Sequence, residues 1–102
     1  MNDKVLSLLG LATRSRHLVS GEFSVEASVK AGKGKLVIVA KDASDNAKKQ
    51  YTNMCNFYKV PLYFYSQKDE LGHAIGKDFR VAVAVEDEGF ANSIRTKLDN
   101  NR

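Results

Sequence analysis

The chain has no tryptophan, one proline and one cysteine. A single thiol, Cys55, excludes an intrachain disulfide, a thiolate metal cage and a Cys-x-x-Cys redox pair, and reads as a small core residue. Long apolar runs are also missing. The two longest, Leu36 to Ala40 and Val81 to Val85, fall far short of the roughly 20 residues a membrane-spanning helix needs. No Pro- or Ser-rich linker, repeat or low-complexity stretch divides the 102 residues, so they read as one domain over 1-99 with a frayed tail at 100-102. The start, Met1-Asn2-Asp3-Lys4, carries an acid and lacks the pattern of a secretory leader, which implies a cytoplasmic protein.

What the chain does have is positive charge. Sixteen Lys and Arg against twelve Asp and Glu give a net charge of +4, which favours a polyanionic partner. The excess is local: Arg14 to Lys41 holds six basic residues and two acidic ones, Glu22 and Glu26. An acidic cluster, Glu86-Asp87-Glu88, lies in the balanced remainder.

Hydrophobic periods alternate between helix and strand. Val5, Leu8, Leu9 and Ala12 fall on one helical face and predict an amphipathic helix over about residues 3 to 13. Leu18-Val19 predicts a short strand, and Ser20-Gly21 starts a second helix that places Val25 and Val29 inward and stops at Gly32. Leu36 to Ala40, apolar without interruption, predicts a strand covered on both faces. Asp42 to Asp45 offers caps for a third helix with Ala47, Tyr51, Met54, Cys55 and Tyr58 inward. A strand over Leu62 to Tyr65, a short helix around Leu71, Ala74 and Ile75, a strand over Val81 to Val85 and a last helix from about Glu88 to Leu98 complete the pattern. The order α-β-α-β-α-β-α-β-α implies an α/β fold, a three-layer α/β/α sandwich with about four strands. The aromatics Tyr51, Tyr58, Tyr63, Phe64 and Tyr65 read mostly as core, because no ribonucleoprotein motif places them on an open sheet.

Convergent reactive groups are scarce. His17 and His73 are the only histidines and read as structural or surface residues, and Ser44 lacks a Gly-x-Ser-x-Gly elbow. Asp42 follows a strand where doubly wound enzymes keep functional acids, yet capping explains it as well. No catalytic residue, cofactor site or metal site is therefore expected. Gly32-Lys33-Gly34-Lys35 lacks the spacing of a nucleotide phosphate loop and reads either as a tight turn or as a mobile basic loop that reaches phosphates. At Ser20-Gly21-Glu22, a glycine at a helix start permits close backbone approach and the helix N-terminus favours phosphate. Whether Ser20-Gly21, Lys33 to Lys35 and Lys41-Asp42 share one sheet edge depends on a topology left open by the pattern.

Three stretches, Leu8-Leu9-Gly10-Leu11-Ala12-Thr13-Arg14, Leu18-Val19-Ser20-Gly21-Glu22 and Gly32 through Ser44, together resemble the kink-turn RNA-binding ribosomal proteins of the large subunit, in particular their bacterial YlxQ branch. Val60-Pro61, Leu71-Gly72-His73-Ala74-Ile75-Gly76-Lys77 and Asp87-Glu88-Gly89-Phe90-Ala91 extend the similarity over nearly all of residues 2-99. The resemblance implies an α/β/α sandwich with a mixed four-stranded sheet and a non-catalytic partner of structured RNA, such as ribosomal RNA or a kink-turn. It further implies an RNA grip at the N-terminus of the second helix, here Gly21, Glu22, Phe23, Ser24 and Ala27, and at the loop Gly76 through Val81. Family members read sheared G·A pairs with an Asn-Glu pair and a lysine one turn later; this chain carries Phe23, Ser24 and Ala27 there. Of these only Ser24 offers a polar side chain, while Glu22 is an acceptor within reach of a shifted helix start.

The RNA-binding residues expected on this basis are Ser20, Gly21, Glu22, Phe23, Ser24, Lys33, Lys35, Lys41, Lys77 and Arg80. The expected partner is structured RNA, with no membrane or DNA specificity, bound by a monomer. Two alternatives stand beside it: a protein-interaction module that keeps the fold but has lost kink-turn recognition, and an enzyme whose cleft would gather His73, Asp42 and Ser44.

Overall fold

Asp3 sets the start of the first helix, because its carboxylate accepts the Leu6 N–H at 3.0 Å and removes one of the donors a helix start leaves unpaired. The computed structural model describes residues 3–100. Its elements are α1 (Lys4–Arg14), β1 (Leu18–Ser20), α2 (Glu22–Lys30), β2 (Leu36–Val39), α3 (Asp45–Tyr58), β3 (Leu62–Phe64), α4 (Lys68–Ala74), β4 (Ala82–Val85) and α5 (Glu88–Asn100). Ser44 caps α3 in the same manner as Asp3 caps α1, accepting the Ala47 N–H at 3.1 Å.

The strands pair in the order β1-β4-β2-β3. β4 runs antiparallel to both β1 and β2, whereas β2 and β3 are parallel. All residues of the two central strands, β2 and β4, are buried, as the uninterrupted apolar runs require. Alternation then divides the core. Leu36, Ile38, Val83 and Val85 pack with Val5, Leu9, Leu71, Ile94 and Leu98 from α1, α4 and α5. Val37, Val39, Ala82 and Ala84 pack with Val25, Val29, Tyr51 and Cys55 from α2 and α3. Full burial of one Leu, Ile or Val contributes about 1.5–3 kcal/mol, so these two clusters supply the main stabilising term. The result is an α/β/α sandwich on a mixed sheet, and among the described residues no helix is long and apolar enough to cross a membrane.

Differences from the pattern reading lie at edges and ends. β4 begins at Ala82, β3 stops at Phe64, and α5 continues through Asn100, so the described part of the expected tail is helical; residues 101 and 102 lie outside the described residues. Two of the aromatics expected inside are exposed, Tyr58 at 38% and Phe64 at 41%. Tyr58 closes α3 beyond its last covered turn, and Phe64 sits at the end of the edge strand β3, where no further strand shields it.

Gly72 in α4 explains part of the Leu71-to-Lys77 motif. A Cβ at this position would lie 2.4 Å from Phe79 Cα, so only glycine lets the chain before β4 press against α4. That contact fixes the loop that leads into β4.

Candidate nucleic-acid interface

One end of the sheet collects the ends of β1, β2 and β3 and the start of β4. The Gly21 N–H donates to the Ala82 carbonyl at 3.1 Å, and the Ala40 N–H donates to the Val81 carbonyl at 2.8 Å. The start of α2, the loop before β4 and the turn after β2 therefore lie side by side.

Gly21 adopts φ +91 and ψ 156, a conformation available almost solely to glycine, and no side chain caps α2. The first backbone bond of α2 runs from the Val25 N–H to the Gly21 carbonyl at 2.9 Å, which leaves the Glu22, Phe23 and Ser24 amides as donors at the positive end of a nine-residue helix. Side-chain caps close the starts of α1 and α3. The start of α2 is open.

Arg80 stands beside it. Its Nε donates to Ser20 Oγ at 3.1 Å and one terminal nitrogen donates to the Phe79 carbonyl at 2.8 Å, so the guanidinium is oriented by β1 and by its own loop. Lys41 is exposed after β2, and its N–H, donating to the Ser66 carbonyl at 2.8 Å, ties that turn to β3. Lys77 is exposed in the turn after α4. Glu22 and Ser24 are exposed as well, Ser20 is half-buried, and Phe23 stands 83% exposed at the helix start. Ser20, Gly21, Glu22, Phe23, Ser24, Lys41 and Arg80 thus share one end of the molecule, and Lys77 lies in the loop that leads to Arg80.

Lys33 and Lys35 do not share it, which corrects the expectation that they would join one grip with Gly21. The Lys35 N–H donates to the Val85 carbonyl at 2.7 Å, at the finish of β4 rather than its start. The nine residues of α2 carry the chain about 13 Å from Gly21 before this turn begins. The turn is tight rather than mobile: the Lys33 and Gly34 N–H groups both donate to the Ser28 carbonyl, at 3.0 and 3.2 Å. The buried Ser28 hydroxyl donates in turn to a Glu86 carboxylate oxygen at 2.6 Å, which ties the turn to the finish of β4.

Phe79, 58% exposed between Lys77 and Arg80, falls within the expected loop Gly76 through Val81 but is not among the individual residues expected to bind. Its signal is a lone aromatic between two cations in the loop before a buried strand. The groups considered for catalysis are otherwise engaged. Asp42 accepts the Lys68 N–H at 2.9 Å, Ser44 caps α3, and His73 lines a separate cleft between α1 and α4 that neither of them reaches. Burial pushes the Cys55 thiol up to about 11, so it stays protonated and unreactive at neutral pH. Tyr51 is pushed up to about 12 by burial first and then by Glu22 and Glu26. Among the described residues, no three His, Cys, Asp or Glu side chains are grouped to hold a metal ion.

An uncapped helix start, an oriented arginine and exposed aromatics lie together on one end of a small three-layer α/β/α domain. The chain belongs to the Ribosomal protein L7Ae/L30e/S12e/Gadd45 family, whose model matches residues 3–95. It is 48% identical over 92 residues to the RNA-binding protein YlxQ of Bacillus subtilis, covering 90% of this chain and 92% of that one. The large ribosomal subunit protein eL30 of Saccharomyces cerevisiae is 36% identical over 98 residues, covering 94% and 92%. Among solved structures, a protein of unknown function from Bacillus halodurans superimposes with a TM-score of 0.93 at 40% identity, covering 96% of this chain and 99% of that chain. A 15.5kD RNA binding protein from Giardia lamblia superimposes with a TM-score of 0.79 at 21% identity, covering 98% and 89%, and carries the fold alone.

Proposed function

We propose that this chain is a non-enzymatic RNA-binding protein that docks the start of α2 and the loop 76–81 onto structured RNA. The observation that carries this reading is the uncapped start of α2 beside Arg80, in a chain whose relatives include RNA-binding and large-subunit ribosomal proteins. Three backbone amides suit a phosphate or a base edge, Arg80 and Lys41 suit the flanking backbone, and Phe23 and Phe79 offer faces for an unstacked base. Kink-turns in ribosomal RNA fit this arrangement. With Phe23 and Ala27 at the reading positions, Ser24, Glu22 and main-chain amides carry the base contacts. The protein acts as a monomer in the cytoplasm, where its RNA resides.

A titration tests this against a kink-turn RNA and the same RNA with its G·A pairs disrupted, at low and moderate salt. At least tenfold tighter binding to the intact RNA at both salts is expected. Equal, salt-sensitive binding to both would reduce the site to a general phosphate contact, and no binding would remove the reading.

Exposed aromatics favour a second reading as a protein-interaction module. Phe23 and Phe57 are 83% and 76% exposed, and a groove of about 440 Å³ between α2 and α3 is lined by Met54, Phe57 and Tyr58. A stable protein complex that survives nuclease treatment, from a chain that binds no RNA, would support it.

A further inference from the structure

The opposite end of the sheet has its own cationic cleft. About 390 Å³ in volume, it opens where α2 and α3 finish and where α5 begins, and Lys35, Lys59, Asn92 and Arg95 line it with a single carboxylate, Glu88. Lys33 is exposed on the adjoining turn. Lys30 also borders the cleft, but its amine is paired with Glu26 at 3.1 Å.

Helix ends explain part of this charge. The carbonyl ends of α2 and α3 carry about −0.5 each, which accounts for one cation. Lys33, Lys35, Lys59 and Arg95 exceed that even after Glu88 is counted. Glu86 and Asp87 keep their charge at the finish of β4 but do not line the cleft; their carboxylates accept from the Ser28 hydroxyl and the Phe90 N–H.

Two further observations point to a ligand. Arg95 Nε is buried with no hydrogen-bond partner, so its guanidinium can turn toward an incoming oxygen without giving up a bond. Lys59 holds a left-handed conformation, φ +61 and ψ 43, at the end of α3, where glycine is the unstrained residue. That conformation ends α3, with the Val60 N–H donating to the Cys55 carbonyl at 2.9 Å, and the chain carries a cation at this position in place of glycine.

We infer that this cleft is a second RNA contact, one that receives the phosphate backbone of a strand or helix distinct from the segment gripped at Gly21 and Arg80. The inference rests on the RNA-binding reading above. The two ends lie farther apart than the Debye length of about 8 Å at physiological salt, so a phosphate at one is electrostatically screened from the other. A 102-residue protein built this way clamps two RNA segments together. The cleft contributes affinity and salt dependence rather than base selectivity, because it offers long cationic side chains and no fixed backbone donors.

The test uses a labelled hairpin containing a kink-turn and a differently labelled, uninterrupted 16-base-pair RNA duplex with the full-length protein. The wild-type chain is expected to hold both in one complex. Lys35→Ala with Lys59→Gly should weaken the duplex at least tenfold and reduce its log-log salt slope by about 1.4–1.8, at 0.7–0.9 per lost phosphate contact. Hairpin affinity should stay within twofold. Because glycine relieves the strain at position 59, Lys59→Gly alone should melt no lower than the wild type and still bind the duplex more weakly, which separates lost contact from lost fold. An unchanged duplex slope in the double variant, or no ternary complex, would overturn the inference. So would displacement of the duplex by millimolar inorganic phosphate but not by chloride of equal ionic strength, since that marks a small-anion site. A wild-type chain that binds neither RNA would instead overturn the RNA reading itself.

Discussion

The two ends of the sheet both present exposed cations, but they are built differently. At the Gly21 end, the open start of α2 is set by main-chain geometry and the Arg80 guanidinium is oriented by the Ser20 hydroxyl and the Phe79 carbonyl, so their directions are fixed before a ligand arrives. At the Lys35 end, the turn is pinned through Ser28 and the charges ride on long side chains, with only an exposed bond from the Lys35 amine to the Gly32 carbonyl at 3.2 Å holding one of them. Fixed donors discriminate between ligands because a misplaced acceptor gains nothing, whereas flexible amines follow any phosphate. Two ends that both present cations thus differ in how far they fix a donor's direction.

Breaking the Gly21 end without touching the Lys35 end should give the largest effect. Gly72→Ala drives a methyl group into the Phe79 backbone, which forces the loop 76–80 away from α2. A loss of about 1–3 kcal/mol in chemical denaturation and at least tenfold weaker kink-turn binding are expected. Gly21→Val strains the fold at φ +91 as well as blocking backbone approach, and is the poorer probe. Ser28→Ala works from the other side. Loss of the buried hydroxyl that donates to Glu86 should cost about 1–3 kcal/mol and loosen the Lys33–Lys35 turn, with kink-turn affinity corrected for folding unchanged.

Single charges sharpen the contrast. Arg80→Ala should weaken kink-turn binding about tenfold and reduce the preference for intact G·A pairs, while Lys33→Ala should leave that preference intact and lower affinity for all RNAs by a small, equal factor, both read by titration. At neutral pH the smallest effect belongs to Tyr51→Phe, which removes a buried hydroxyl without a hydrogen-bond partner. Its effect grows with pH. The Tyr51 phenol is pushed up to about 12 in the folded chain, so its contribution is whole below about pH 10 and is lost as pH rises toward 12. Denaturation curves should show the wild type losing stability against Tyr51→Phe across that window.

Much of the architecture was legible because burial on both faces leaves an uninterrupted apolar run, and Leu36 to Val39 and Ala82 to Val85 are such runs. Caps were legible for the same reason of local chemistry: Asp42 to Asp45 announced α3, and Ser44 caps it. Strand order was not, since pairing β4 between β1 and β2 is a long-range choice that no local period encodes. That one fact decides the site. It brings Arg80 to Ser20 across sixty positions and sends Lys35 to the other end. The resemblance covered Phe79 only as part of the loop Gly76 through Val81, because an isolated aromatic has no period, and the packing of its backbone on Gly72 is a tertiary property.

The most direct test of the central claim is amide chemical-shift mapping of the ¹⁵N-labelled protein as kink-turn RNA is added to one equivalent. The account predicts the largest changes at Gly21 to Ser24 and Lys77 to Arg80, with smaller ones at Lys41. Changes centred on the α2–α3 groove or on the α1–α4 cleft, with the Gly21 and Arg80 amides unmoved, would contradict it.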